Sequence, residues 1–336
     1  MTKSCTLCMI GLFMVGTALA QSAPPLYKQV AKFQVGGDGG WDYITYDADS
    51  NRLFIGHSME ITVVDAETGK QLGSVPANGA HGVAVIPGKN LGFSTNGRAG
   101  TVTVFDLKTL QPKQDIKAGE NPDAIIYDRY AKKVLVMNGR SQDLMVIDPD
   151  TLKVETSIPL GGKLEFASAD SAHVYVNVED KGEIATVDSK TWKADKRWKL
   201  TGCEEPSGLA IDESSHHLFS VCGNKKMIVV DTADGHIVDT LDTGAGTDGA
   251  AFDPEPGYAL ASNGAGTLTV VKRGEDRRYH VAGNVSTQPG ARTVAVDPKT
   301  HRVYLPTAEF GPRAEGQSRP AIKPGSFVVL VYTPVQ

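Results

Sequence analysis

The sequence predicts an all-β protein, a seven-bladed β-propeller with four antiparallel strands in each blade. Three observations carry this expectation. An apolar run closed by Asp and followed by a polar turn returns as "ITVVDAETGK", "VTVFDLKTLQ", "LMVIDPDTLK", "IATVDSKTWK" and "MIVVDTADGH". Its Asp falls at Asp65, Asp106, Asp148, Asp188 and Asp231, spaced 41, 42, 40 and 43 residues apart. Self-similarity at a period of about forty marks a propeller or a solenoid. Seven short apolar runs keep the same beat: "WDYITYD", "HGVAVIP", "PDAIIYD", "LEFASAD", "SGLAIDE", "DGAAFDP" and "RTVAVDP". Each is followed by a second run, from "RLFIGH" and "LGFSTN" to "YALASN" and "RVYLPT".

The elements follow in chain order. "MTKSCTLCMIGLFMVGTALAQ" carries Lys3, an apolar stretch and Ala18-Leu19-Ala20 before Gln21. That is the pattern of a secretory signal with an A-x-A cleavage site over residues 1–20. Its apolar run is short for a membrane span. No Cys follows the cleavage point to take a lipid, and nothing else approaches transmembrane length. The mature chain, 21–336, is expected to be a single domain without a membrane span, periplasmic or secreted. "YKQVAKFQVGG", Tyr27 to Gly37, stands alone before the first unit. Each later unit then reads as three clear strands and a weaker fourth, such as "KVETSIPLG". Val, Ile, Phe and Tyr runs between Gly, Asn, Asp and Pro turns support strands, and no segment after the N-terminus holds a helical period. The seventh unit ends without a fourth strand, so Tyr27 to Val35 is expected to supply the outer strand of the blade built from Arg292 to Pro334. A ring closed in this way protects its edges.

These repeats resemble the YVTN-type repeat of the YncE-like propeller family. "GFSTN" and "VYVNV" are the nearest forms of its second strand, and the Asp-ended third strand matches its VIDT-like element. The resemblance covers Tyr27 to Pro334 and implies the seven-bladed fold. It says little of function, because propellers host binding, scaffolding and catalysis alike.

Composition bounds the partners. Apolar residues make up 40% and charged residues 22% of 336 residues, with a net charge of −5. The resembled family has been linked to DNA, but this chain has no basic face, so nucleic acid is not an expected partner. Cys5 and Cys8 leave with the signal. In an oxidising compartment the remaining pair, Cys203 and Cys222, reads as a disulfide on the top face of blade five, two separate buried thiols being the alternative. A monomer is expected.

The repeat sorts polar residues by face. The loops entering first strands and those leaving second strands share one end, here called the top. His173, His216, His217, His236 and His301 fall in bottom turns, and His280 on an outer strand. His57 and His81 reach the top in adjacent blades. Aligning the starts of the first strands gives Asp42, His81, Asp123, Glu165, Ser207, Asp248 and Arg292, with spacings of 39, 42, 42, 42, 41 and 44. Aligning the ends of the second strands gives His57, Asn96, Asn138, Asn177, Cys222, Asn263 and Thr307. First strands line a propeller's channel, so the top mouth is expected to gather carboxylates, imidazoles, an Arg and a circle of Asn. Such groups also solvate any wet channel mouth. As a binding site, clustered carboxylates favour a cation or a hydrogen-bonded polar ligand. The candidate ligand-binding set is Asp42, His57, His81, Asp123, Glu165, Asp248 and Arg292. Within it, Asp42, His81 and Asp123 are the candidate ligands of a divalent metal of the Ca, Mn or Zn type.

One loop departs from the period. Lys272 to Tyr332 spans 60 residues, and the surplus is "AEFGPRAEGQSRPAIKPGS", Ala308 to Ser326. A loop this long is functional or a passive insertion. It is expected to project over the mouth.

Two functions compete. With no G-x-S-x-G, H-E-x-x-H or P-loop, the chain reads as an exported binding module presenting its top face to a small molecule or a partner protein. The alternative is a metal-dependent enzyme. The architecture resembles propeller lactonases and streptogramin-cleaving lyases, in which case a metal on Asp42, His81 and Asp123 polarises a carbonyl while His57 moves a proton.

Overall fold

In the computed structural model, residues 26–313 and 320–335 are described. The expected signal and the centre of the long loop lie outside the described residues. Seven four-stranded antiparallel sheets form the described residues, and six of them pair in sequence order from inner to outer strand. The seventh sheet is closed by the N-terminal strand Tyr27–Gln34, which runs antiparallel to Val328–Pro334, with Tyr27 opposite Pro334 and Gln34 opposite Val328. This is the expected closure. One boundary differs: the first strand of blade seven is only Ala295–Asp297, so Arg292 stands in extended chain before it.

The recurring Asp has a local cause. Asp65 accepts the backbone N–H of Glu67 and Thr68 at 3.1 and 2.7 Å and the Thr68 hydroxyl at 2.8 Å. Asp148 does the same for Asp150 and Thr151, and Asp188 for Lys190 and Thr191. A carboxylate that caps the turn donors ends the third strand and starts the hairpin to the fourth. Hydrogen bonds from the turn hold the Asp65 and Asp188 carboxyls below their usual range.

Packing lies between blades. Among the described residues, seven apolar clusters each join one adjacent pair of blades, and the one built on Leu53, Ile55, Tyr304 and Val329 seals blade seven to blade one. Each fully buried Val, Leu, Ile or Phe side chain contributes about 1.5–3 kcal/mol. The outer strands are polar: in Lys193–Lys199 only Trp198 is buried, which discourages pairing with other chains.

The inner strands carry the feature that positions the mouth. Their pairing with the second strand slips between Trp41 and Ile44, Ala80 and Val83, Pro122 and Ile125, Leu164 and Ala167, and Pro206 and Leu209. A further slip falls between Thr247 and Gly249. Bulges bend a strand and redirect its side chains. Here each leaves the strand's second residue out of the ladder at the channel mouth. Hydroxyls of neighbouring blades fix those residues. Thr95 donates to the Asp123 carbonyl at 2.5 Å, Ser207 to Asp248 at 3.0 Å, Ser262 to Arg292 at 2.5 Å and Thr293 to Asp42 at 2.8 Å.

Candidate functional site

All of the redirected residues but His81 line a top cavity of roughly 470 Å³. Asp42, Asp123, Glu165, Ser207, Asp248 and Arg292 all face it, as do Tyr43, Lys163, Glu179 and Glu205. Six carboxyl groups thus share a wall with two permanent cations. Below, the rings of Tyr43 and Phe166, from blades one and four, meet across the channel with centroids 5.3 Å apart.

The charges are arranged in two groups. His81 Nδ1 lies 2.5 Å from Asp42 Oδ2 and 3.5 Å from Asp123 Oδ1. Burial opposes protonation of His81, but the Asp42 hydrogen bond and the charges of Asp123 and Asp42 outweigh it, so its pKa is raised. Arg292 bonds Asp248, lies 3.5 Å from Asp42 Oδ1 and donates from Nη2 to the Trp41 carbonyl at 2.7 Å. Across the cavity Lys163 bonds Glu165 at 2.8 Å and also Glu179. Burial pushes the Asp123 carboxyl up to about 6, with His81 opposing and Asp42 and Asp248 adding. Burial, the Asp123 charge and Glu179 push Glu165 up to about 9, against Lys163. Burial raises Asp248 as well, against Arg292. The Tyr43 hydroxyl, buried and beside Asp123 and Glu165, is held well above its usual pKa and stays a donor.

Ligand atoms of Asp42, His81 and Asp123 all lie within 4.8 Å of one another. Two oxygen donors and one imidazole, from three consecutive blades, have the chemistry to hold a divalent cation. A second such group, Asp231, Asp234 and His236, is largely exposed, and its carboxylates already cap the local turn by accepting from Ala233 N and His236 N.

The other expected ring is not at the mouth. Asn96, Asn138, Asn177 and Asn263 are buried inside the blades. Asn96 donates to Thr101 and Thr103, Asn263 to Thr267 and Thr269, and Asn177 to the Ser207 carbonyl of the next blade. A side chain at the end of a second strand turns inward, into its own blade for Asn96 and Asn263 and toward the next blade for Asn177. His57 holds this position in blade one. It is 3% exposed, its ring stacks on Phe327 at 4.2 Å, and its Nδ1 lies 3.3 Å from the Thr62 hydroxyl. Burial lowers its pKa. His57 does not line the cavity, and it is not placed to move a proton there. The turn reading of His217 is also corrected: it is buried and lies 2.8 Å from the Tyr279 hydroxyl.

Cys222, at the same position in blade five, is bonded to Cys203, with Cα atoms 5.4 Å apart. The disulfide fits an oxidising compartment. Its neighbours Gly223 and Glu205 line the cavity, and Gly223 N donates to Glu204 O at 2.8 Å. The bond thereby anchors the loop that carries Glu205.

A second, mostly apolar cavity of roughly 600 Å³ adjoins the first. Gly246 and Arg292 belong to both. Trp41, Pro289, Phe310, Pro320 and Ile322 form its walls, so the described ends of the long loop do reach the top. Phe310 and Ile322 are bridged backbone to backbone, and Trp41 and Phe310 have ring centroids 6.1 Å apart. Sequence reading missed this cavity, and it missed Tyr43, Lys163, Glu179 and Glu205. The last three sit in or beside top loops of blades four and five, so extending the face assignment from strand starts to loops finds them.

No family model matches the chain. It is 23% identical over 288 residues to the protein YncE of Salmonella typhimurium, covering 82% of this chain and 71% of that protein. The YncE protein of Salmonella typhi is 22% identical over the same shares. Among solved structures, hydrazine synthase of Kuenenia stuttgartiensis superposes with a TM-score of 0.68 over 86% of this chain and 96% of that chain. At 19% identity that likeness speaks to the fold alone. Among the described residues no helix is long and apolar enough to cross a membrane.

Proposed function

We propose that this chain, a YncE-like seven-bladed propeller, is an exported monomeric binding protein that receives a positively charged ligand at its acidic channel mouth. One observation carries the reading. Six carboxyl groups, from Asp42, Asp123, Glu165, Glu179, Glu205 and Asp248, surround one cavity with only Lys163 and Arg292 as permanent cations. Crowded carboxylates in a partly dry cavity repel one another, and a bound cation relieves that repulsion. Asp42, His81 and Asp123 are the candidate metal ligands within it. Export is supported by the N-terminal signal pattern and the Cys203–Cys222 bond, and N-terminal sequencing of exported protein beginning at Gln21 tests it.

The same triad favours a second reading, a metal-dependent propeller enzyme. Three protein ligands leave coordination positions open for water and a carbonyl. Metal analysis and calorimetric titration with Ca²⁺, Mn²⁺ and Zn²⁺ separate the two. Cation binding that reverses freely and weakens at least tenfold in Asp42→Asn and Asp123→Asn supports the receptor. A stoichiometric metal that survives purification and is lost in those variants supports the enzyme. Cation affinities equal in wild type and both variants would overturn the mouth as the site.

A further inference from the structure

Resting on the reading of the mouth as a cation receptor, we infer that its ligand is an ammonium group carried on an apolar body. The ammonium lies among the carboxylates, and the body fills the adjoining cavity. The two spaces meet at Arg292 and Gly246, so one molecule can occupy both. Each volume is within the range of small-ligand pockets. A metal ion alone gives the apolar cavity no role.

The chemistry of the walls sets the class of ligand. A primary ammonium brings three donors and one charge, and the mouth offers carboxylate acceptors. A ligand carboxylate is disfavoured, because Arg292 is already held by Asp248, Asp42 and the Trp41 carbonyl. On the apolar side, Trp41, Phe310 and Ile322 present ring and alkyl surface, and Gly246, Gly264 and Gly290 add backbone to the wall. Apolar area removed from water there contributes about 25 cal/mol per Å². Trp41 adds an independent pointer. It is 7% exposed, it lines this cavity, and its indole N–H has no acceptor among the described residues. A buried donor without a partner is costly, and it marks this wall as a place whose polar needs the described residues do not meet.

The test uses the mature protein, freed of metal, with three small probes followed by ligand-observed NMR titration. Phenethylamine should bind at least tenfold more tightly than ethylamine, and 3-phenylpropionate should not bind measurably. Ile322→Ala and Phe310→Ala should narrow the gap between the amines while leaving ethylamine affinity unchanged. The probe comparison on wild type stands even where a variant folds poorly. Equal affinities for the two amines would overturn the inference and leave the cation receptor intact, as would metal binding with no amine binding. Binding of 3-phenylpropionate alone would overturn both. Two further probes separate the sources of such an ammonium. Phenylalanyl-leucinamide binding more tightly than phenethylamine, with its N-acetyl form silent, identifies a peptide amino terminus. Weaker or equal binding identifies a free amine. An N-acetyl form as tight as the parent would overturn the ammonium itself.

Discussion

Two rings of polar residues lie near the same end of this propeller, one strand apart. The inner ring, Asp42, His81, Asp123, Glu165, Ser207, Asp248 and Arg292, is chemically mixed, and all but His81 line the top cavity directly. The other ring, His57, Asn96, Asn138, Asn177, Cys222, Asn263 and Thr307, is buried and four times Asn. Uniformity there reflects one position filled in blade after blade: an amide buried under the top loops, donating within its own blade from Asn96, Asn138 and Asn263 and to the next blade from Asn177. The mixed ring has no common internal partner to satisfy. Its charges meet one another and the cavity. Repetition within a chain of this kind marks structure, and departure from it marks the surface proposed above as the site of recognition.

The comparison breaks first in the buried ring. Cys222 is its blade-five member, and its bond to Cys203 closes a loop with a sequence separation of 19. Replacing both with Ser should cost about 3 kcal/mol by loss of the constraint on the unfolded chain. Thermal melting of oxidised wild type beside the double variant reads this directly. A melting temperature within 1–2 °C of wild type, roughly 1 kcal/mol or less, would show that this ring member is not structural.

Asn263 comes next. It is fully buried, donates to Thr267 and Thr269 at 3.0 Å and accepts from Thr247 at 2.6 Å. Asn263→Ala leaves buried hydroxyls without that partner and should cost about 2 kcal/mol. Cation affinity at the mouth should be unchanged. The mirror experiment is Asp123→Asn in the inner ring. It removes a buried carboxylate that Asp42 and Asp248 repel, so the apo protein should melt at the same temperature or higher while cation affinity falls at least tenfold. If Asn263→Ala weakens binding, or Asp123→Asn destabilises the apo fold by more than about 1 kcal/mol, the two rings are not separable in function.

The fold was legible because a propeller writes itself as a period. The Asp of each third strand ends a strand and caps a turn, so five copies of one phrase announced both the strand and its partner. The inner ring was legible for the same reason, as the second residue of the first strand in six blades, with Arg292 one period on in the extended chain before the seventh. The buried ring was misread because face and exposure are different properties. A residue at the top end of a second strand is on the correct face, yet its side chain turns into the packed interior and away from the mouth. That error carried His57 into the candidate site. The apolar cavity was not legible at all. Trp41 and Phe310 are far apart in sequence, and only the closure of blade seven against blade one brings them together. Lys163, Glu179 and Glu205 escaped because the alignment stopped at the strand ends, one residue short of the loops that carry them.

The smallest effect is the sharpest test, because it sets one histidine of each ring against the other. Both reach the top end in adjacent blades, and both start from a free value of 6.5. His57 is enclosed by Phe327 and Thr62, and its buried Nε2 has no partner among the described residues. Burial there disfavours the imidazolium, so the folded protein binds fewer protons than the unfolded chain. Its contribution is therefore lost as pH falls below about 6.5, the unfolded value. His81 faces Asp42 and Asp123, and its imidazolium is favoured. Its contribution is present below about 6.5 and is lost as pH rises through its higher folded pKa. NMR titration of metal-free protein with labelled histidine, assigned through His57→Gln and His81→Gln, should find one imidazole titrating below 6.5 and the other above it. Bound divalent cation should remove the His81 titration and leave that of His57 in place, since only His81 lies among the candidate ligands. Two histidines that titrate in the same direction would mean that both sit in one environment, and the distinction between a structural and a recognition ring would fail at the pair chosen to represent it.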